Sequence, residues 1–124
     1  MVVLTQYVSR HELAPLWRYL TLEDVLAGSQ KVSQGLAVTT KPPRPLPGFR
    51  FYKVRLGKQQ SARMIVFVVL ENKKIVPLLI RLKKDKLLGM NLAMNNPALV
   101  RALNKNLDQV LNDIERKNYQ EFPI

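Results

Sequence analysis

The chain has 124 residues and a formal net charge of +11, from 20 Lys and Arg against nine Asp and Glu. It has no Cys and a single His, His11, which excludes disulfides, thiolate metal sites and the common Ser/His and Cys/His nucleophile pairs. No apolar stretch approaches the roughly 18 residues of a membrane span, and no signal peptide is recognisable. This length predicts one domain over residues 1–124, and we expect no cofactor, no metal and no membrane partner.

Helical patterns dominate the beginning of the chain. Apolar residues at helical spacing predict two helices, over about 10–19 and 22–35, joined tightly as a hairpin. The first follows a capping-box pattern at Ser9–Glu12 and the second one at Thr21–Asp24. The apolar stripe of the first helix places Trp17 in the core. Loose alternation ahead of both helices is compatible with a short strand.

The middle of the chain holds the most strand-like sequence. A proline-rich stretch, 37–48, predicts an extended loop. The segments 49–57, 62–70 and 74–82 are alternating or nearly all apolar, and they predict three antiparallel strands, the last two forming a hairpin. Pro77 cannot donate to a strand ladder, so the third strand should be an edge there or carry a bulge.

The last third of the chain predicts a long helix. Asn96 followed by Pro97 is a typical helix start, and apolar residues three and four apart continue the helix over about 97–117. The tail after it either docks or stays flexible. The order of elements predicts an α+β fold with an N-terminal helical hairpin, an antiparallel sheet of three to four strands with helices on one face, and a long C-terminal helix.

All of the net charge lies in residues 41–86, which hold thirteen Lys and Arg against two acids, whereas the rest of the chain is neutral. A basic sheet in a neutral frame predicts a polyanionic partner, and nucleic acid is the first candidate. Alternate residues of a strand share a face, so Lys53 and Arg55 lie together. With antiparallel neighbours, Arg63, Arg81 and Lys83 are expected to converge with them at one end of the sheet.

The sequence also limits the chemistry that such a cluster can perform. It has no carboxylate pair, metal-ligand set, Gly-rich phosphate loop or serine elbow, which disfavours hydrolysis through a metal or a covalent Ser or Cys. Cations can still cleave RNA, because RNA carries its own nucleophile, the 2′-OH, and needs only alignment, deprotonation and charge neutralisation. The alternative is a set of phosphate-binding cations without catalytic geometry.

The segment FYKVRLGKQQSARMIVFVVLENKKIVPLLIRLKKDK, residues 51–86, resembles the core of the RelE/ParE superfamily of bacterial toxins from type II toxin–antitoxin systems. It shares an aromatic-Tyr-Lys-x-Arg strand, a polar turn, an Arg that opens an apolar strand, a hairpin, and a basic cluster after the third strand. The RelE-like branch implies a cytoplasmic mRNA endonuclease that acts in the ribosomal A site and is neutralised by a cognate antitoxin.

The resemblance also implies roles for individual residues. Lys53 and Arg55 match the paired strand bases of the branch, Arg63 matches its phosphate-contacting Arg, and Lys83 or Lys84 matches the basic residue after the third strand. These five are the predicted catalytic residues, with Lys as base or acid and Arg as transition-state clamp. Four further cations are predicted to contact nucleic acid: Arg50, Lys58, Arg81 and Lys86.

The chain departs from the branch in one respect. Many RelE-like toxins carry a late Tyr, but no Tyr follows Lys86 closely, and Tyr119 is only a distant substitute. Two alternatives therefore stay open: a non-catalytic module that binds RNA or protein through the basic sheet, and a ParE-like inhibitor of DNA gyrase.

Overall fold

The computed structural model describes residues 1–85 and 92–124, so Lys86 lies outside the described residues. The elements, in chain order, are β1 Val2–Thr5, α1 Gln6–Val8, a π-helical turn Ser9–Leu13, a 3-10 turn Ala14–Leu16, α2 Leu22–Ser33, β2 Val38–Thr40, β3 Phe49–Leu56, a 3-10 turn Lys58–Gln60, β4 Ala62–Val69, β5 Ile75–Leu82, α3 Pro97–Glu115 and β6 Tyr119–Phe122.

The described strands form one mixed six-stranded sheet in the order β2-β3-β4-β5-β1-β6. Strands β2 to β5 pair antiparallel, β1 lies parallel to β5, and β6 returns antiparallel to β1. The predicted α+β class is confirmed, and the three predicted central strands are β3, β4 and β5. The plain antiparallel sheet of three to four strands is wrong, because the short strands β1, β2 and β6 extend it and β1 adds the parallel pairing. Strand β2 lies within the stretch 37–48, which the sequence predicts to be a loop throughout.

The centre of the sheet is covered on both faces. Neighbouring strand residues point to opposite faces, yet every residue from Met64 to Phe67 in β4 is 0% exposed. Helix α2 covers the face that carries Leu56 and Met64. Gly28 permits this close approach, because a Cβ there would lie 3.1 Å from the Leu56 Cβ. A sheet with only one covered face is therefore wrong for this fold.

The first half of the predicted helical hairpin is helical, but it is irregular and begins and ends earlier in the chain than predicted. In place of a regular helix over 10–19, the chain makes a single α-turn, a π-turn and a 3-10 turn in succession. Ser9 has helical backbone angles and is not the N-cap; the Thr5 side chain caps this segment by accepting from the Val8 amide. Glu12, the expected capping partner of Ser9, is buried, and its carboxylate accepts a hydrogen bond from an amide of β5 instead.

Trp17 is 71% exposed, so its predicted place in the core is wrong. A π-turn has more residues per turn than an α-helix and a 3-10 turn has fewer. The regular 3.6-residue spacing therefore no longer determines which side residue 17 occupies. Leu20, from the same apolar stripe, is buried as expected.

Side chains from two helical segments complete the hydrogen bonding of β5. Strand β1 pairs with β5 at Ile75, and further along β5 the Gln6–Leu16 segment takes the place of a strand. The Glu12 carboxylate accepts from the Ile80 amide at 2.7 Å, and the Asn106 amide of α3 donates to the Leu78 carbonyl at 2.9 Å. Buried backbone groups need partners, so these side chains substitute for a neighbouring strand.

The irregularity predicted at Pro77 is confirmed as a bulge. Ile65 lies opposite Leu79, but Val66 lies opposite Pro77, so Leu78 is the extra residue of β5. Pro77 does not make β5 an edge strand, because β1 lies on the other side of β5.

The other helices follow the sequence closely. Thr21 and Asp24 form the reciprocal capping box of α2, with N···O distances of 2.9 and 3.2 Å. Helix α3 starts after Asn96, whose side chain accepts from the Ala98 amide. Lys117, with a φ of +61°, then turns the chain back so that the tail docks as β6. Within the described ranges, no helix combines the length and apolar character that crossing a bilayer requires.

Candidate nucleic-acid interface

Three of the predicted catalytic cations meet in one groove. Arg55 in β3 lies directly opposite Arg63 in β4, and Lys53 shares the face of Arg55. We call this feature the cationic groove; its volume is about 630 Å³. It contains no Asp or Glu among the described residues that line it, which are Lys31, Leu36, Val38, Lys53, Val54, Arg55, Gln60, Arg63 and Leu92.

The Arg63 side chain is held in place by backbone oxygens. Its Nη1 donates to the Gln60 carbonyl at 2.8 Å and to the Ala62 carbonyl at 3.2 Å. The Arg55 Nη1 makes a longer contact, 3.4 Å, with the Gln60 side-chain oxygen. A guanidinium has five N–H donors, so anchoring Nη1 fixes the group while other donors remain to bind an anion.

The turn that supplies the Gln60 carbonyl has unusual backbone angles. Gly57 has a φ of +83°, and Gln59 and Gln60 have φ values of +55° and +54°. A left-handed conformation costs a residue with a Cβ about 1–2 kcal/mol. The fold therefore tolerates two unfavourable residues at the point where the backbone contacts Arg63.

Positive charge is crowded in the cationic groove. Partial burial lowers the pKa of Arg63, and the nearby charge of Arg55 lowers it further. Arginine nevertheless stays protonated in proteins, so the charge persists and the repulsion between the two side chains is not relieved by proton loss. A bound anion would relieve it, which makes the groove suited to a phosphate.

Lys31 is a member of the groove that sequence reasoning missed. It lies near the end of α2, outside the basic segment, and its Nζ donates to the Arg55 carbonyl at 2.6 Å. Its position in the sequence gives no indication of this role. Only the packing of α2 against β3 brings the Lys31 side chain to the Arg55 backbone and so to the groove.

Lys83 and Lys84 do not line the cationic groove. They line a separate groove of about 450 Å³, together with Tyr19, Gln59, Ser61 and Leu82. The Lys84 Nζ lies 4.9 Å from the centroid of the Tyr19 ring, at a distance typical of a cation–π contact. The structure thus divides the five predicted catalytic residues between two grooves.

Arg81 is in register with Arg63 but in different surroundings. It lies directly opposite Arg63 on the neighbouring strand, and its Nη1 pairs with the buried Glu12 carboxylate. Asp85 lies 3.8 Å from its Nε. These acids compensate the charge of Arg81, so it does not add to the field of the cationic groove.

The remaining predicted nucleic-acid contacts are dispersed. Arg50 is exposed at the start of β3, and it points to the face opposite Lys53 because the two are an odd number of residues apart. Lys58 is exposed on the turn between β3 and β4. Lys86 lies outside the described residues.

Other titratable groups lie elsewhere. His11 stacks near Tyr7, with ring centroids 4.6 Å apart. Burial raises the pKa of Tyr7, and Glu12 raises it further while Arg81 opposes this.

Tyr119 belongs to β6, four strands from β3, which is about 19 Å at ~4.8 Å per strand. In the described part of the chain, no cluster of three or more His, Cys, Asp or Glu could hold a metal ion.

No family model, curated protein or solved structure matches the chain.

Chemically, the cationic groove offers four cations beside two well-exposed apolar side chains, Leu36 (67% exposed) and Val38 (64% exposed). Cations bind phosphate, and apolar surface accommodates a sugar or a base, so the groove suits a nucleotide better than a small inorganic anion.

Proposed function

We propose that the chain is a RelE-like toxin of a toxin–antitoxin pair, an endoribonuclease that cleaves mRNA by attack of the RNA 2′-OH. The observation that supports this most is the cationic groove, in which Lys53, Arg55, Arg63 and Lys31 line a surface with no carboxylate among its described lining residues. The proposed action at the ribosomal A site, the cytoplasmic location and the cognate antitoxin follow from the resemblance to the RelE branch.

In this proposal, the two arginines bind the scissile phosphate. Arg63 is anchored through Nη1 to the Gln60 and Ala62 carbonyls, which fixes its position before substrate binds. A fixed cation stabilises the negative charge that develops on the phosphoryl oxygens, because little reorganisation is needed during the reaction. Arg55, opposite Arg63 in the strand pair, contacts a second phosphoryl oxygen.

Lys53 is the proposed proton-transfer group. The 2′-oxygen forms a bond to phosphorus and its proton passes to water, while the bond from phosphorus to the 5′-oxygen breaks and that oxygen takes up a proton from the Lys53 ammonium group. The products are a 2′,3′-cyclic phosphate and a free 5′-hydroxyl. Lys53 lies in the same groove as both arginines, whereas Lys83 and Lys84 do not. DNA lacks the nucleophile, so it should bind without being cut.

Expression of the chain tests the proposal. We expect growth arrest and mRNA fragments that end in 2′,3′-cyclic phosphate, both lost when Lys53, Arg55 and Arg63 are all replaced by Ala. Lys105→Ala with Arg101→Ala removes two exposed charges from α3 and serves as the control. A folded triple variant that still arrests growth and still yields those ends would contradict the proposed site.

A non-catalytic role in RNA binding is the second candidate. It is favoured by one observation: the residues lining the cationic groove are Lys, Arg, Gln and apolar residues, with no imidazole or carboxylate among the described ones. This role predicts salt-sensitive binding of RNA without cleavage on translating ribosomes. The ParE-like alternative predicts loss of gyrase supercoiling while mRNA stays intact.

A further inference from the structure

Two large aromatic side chains are exposed to solvent on the turn that follows Ala14–Leu16. Trp17 is 71% exposed and Tyr19 is 49% exposed. Each lies beside a cation: the Arg18 Cζ is 5.3 Å from the Trp17 ring centroid, and the Lys84 Nζ is 4.9 Å from the Tyr19 ring centroid. Exposed aromatic rings combined with cations are typical of surfaces that bind single-stranded nucleic acid.

Tyr19 opens onto the groove of about 450 Å³ that also holds Lys83 and Lys84. None of the described residues that line this groove is acidic, since the others are Gln59, Ser61 and Leu82. A partner that buries the Tyr19 ring must therefore accommodate the two lysines. A polyanion with flat apolar faces does so, whereas a purely apolar protein surface would leave their charges without compensation.

The groove beside Tyr19 and the cationic groove lie on either side of a single turn. Gln60 lines the cationic groove, and its neighbour Gln59 lines the groove beside Tyr19. The exposed Lys58 belongs to the same turn. One nucleic-acid strand can therefore contact both grooves by crossing a turn that itself carries a positive charge.

We propose that Trp17 and Tyr19 form a stacking platform for bases of a single-stranded RNA, with Lys83 and Lys84 neutralising the phosphates between those bases. The platform holds nucleotides that flank the segment bound in the cationic groove. The strand must be single, because a duplex keeps its base faces stacked on one another and does not offer them to a protein ring. The proposal extends the proposed function and rests on it only for the choice of RNA as partner.

Trp17 is the only tryptophan of the chain, so its fluorescence reports directly on the platform. We expect a 2′-O-methyl oligonucleotide of about eight nucleotides to change this fluorescence, with an affinity that falls steeply as salt rises. A duplex of equal length should change it little. The oligonucleotide cannot be cleaved by 2′-OH attack, so this measurement is independent of the proposed catalysis.

Variants then separate the platform from the cationic groove. Trp17→Ala and Tyr19→Ala should each weaken binding of a labelled oligonucleotide by about tenfold, the loss expected for one stacked base. Ile124→Ala, an exposed apolar residue elsewhere, and Lys105→Ala should leave the affinity unchanged. Both aromatic residues are well exposed, so the variants should keep the wild-type circular dichroism.

Three results would overturn the platform. One is a Trp17 signal that does not move at saturating oligonucleotide, and another is wild-type affinity in both aromatic variants. The third is a Trp17 signal that changes with protein concentration and not with RNA, which would assign the surface to a second copy of the chain. If cleavage is absent while Trp17 responds as expected, the proposed catalysis fails and the platform stands.

Discussion

Arg63 and Arg81 face each other across adjacent strands, yet their surroundings differ. Arg63 lies in a groove whose described lining residues include no acid, and backbone carbonyls anchor it. Arg81 pairs with the buried carboxylate of Glu12, which also accepts from the Ile80 amide. The difference shows that the cations of a basic segment are not equivalent: one arginine stabilises the fold, whereas its cross-strand neighbour is available to bind an anion.

The greatest loss of stability should follow removal of the acid beside Arg81. Glu12→Ala leaves the Ile80 amide without an acceptor and the half-buried Arg81 without its main partner. We expect the free energy of unfolding to fall by about 3 kcal/mol, as for other broken buried pairs. Urea denaturation followed by circular dichroism measures this change.

Asp108→Ala provides the matched control. It breaks the ion pair with Arg44, in which the Asp108 side chain is 63% exposed, and it should cost less than about 0.5 kcal/mol. Equal stabilities of the two variants would mean that the Glu12 carboxylate does not stabilise β5 as described.

Replacing Arg63 should impair RNA cleavage, whereas replacing Arg81 should impair stability. Arg63→Ala should lower RNA cleavage by about a hundredfold, as expected when a charge-stabilising donor is removed, with little effect on folding. Arg81→Ala should lower stability and leave the cleavage rate of the folded protein within about twofold of the wild type, since Arg81 does not line the groove. Cleavage assays and urea denaturation on the same preparations distinguish these outcomes. A reversed pattern would refute the assignment of the two arginines.

Introducing an acid into the cationic groove should weaken its binding of phosphate groups. Lys31→Glu places a carboxylate beside Arg55, and we expect RNA affinity to fall by about tenfold and its salt dependence to become shallower. Lys105→Glu makes the same charge change on the exposed face of α3. If both variants bind equally weakly, only overall charge matters and the groove is not the binding site.

The smallest effect concerns the turn between β3 and β4. Glycine adopts positive φ at little cost, so Gln59→Gly should raise the free energy of unfolding by about 0.5–1 kcal/mol. Ser61→Gly replaces a residue with a φ of −72° and should lower stability instead. Thermal unfolding of both variants tests this sign difference. A loss of stability in Gln59→Gly would show that the left-handed backbone is not strained.

The sequence was sufficient for features that depend on local chemistry. The Thr21–Asp24 capping box, the start of α3 at Asn96 and the bulge near Pro77 each depend on residues close in the chain. Strand alternation likewise placed Lys53 and Arg55 on one face. Such patterns are readable because the hydrogen bonds and steric limits that cause them act over a few residues.

Features that depend on distant partners were not predictable in the same way. Glu12 looked like a capping residue, but its carboxylate serves an amide 68 positions away. Lys31 entered the cationic groove through the packing of α2, and Trp17 was displaced by the π-turn before it. In each case tertiary packing determined where the side chain lies. A single sequence carries no direct information about that packing.

The position of β1 has a consequence for folding during synthesis. It is the first described strand to be made, it meets β5 through the Val2–Ile75 pair, and four of its residues pair with β6, the last described strand to be made. Contacts between segments so far apart form slowly, because a long loop must close before they contribute. The β1–β6 end of the sheet therefore cannot close until β6 has left the ribosome, and until then the apolar residues of β1 depend on β5 and the helices alone for cover.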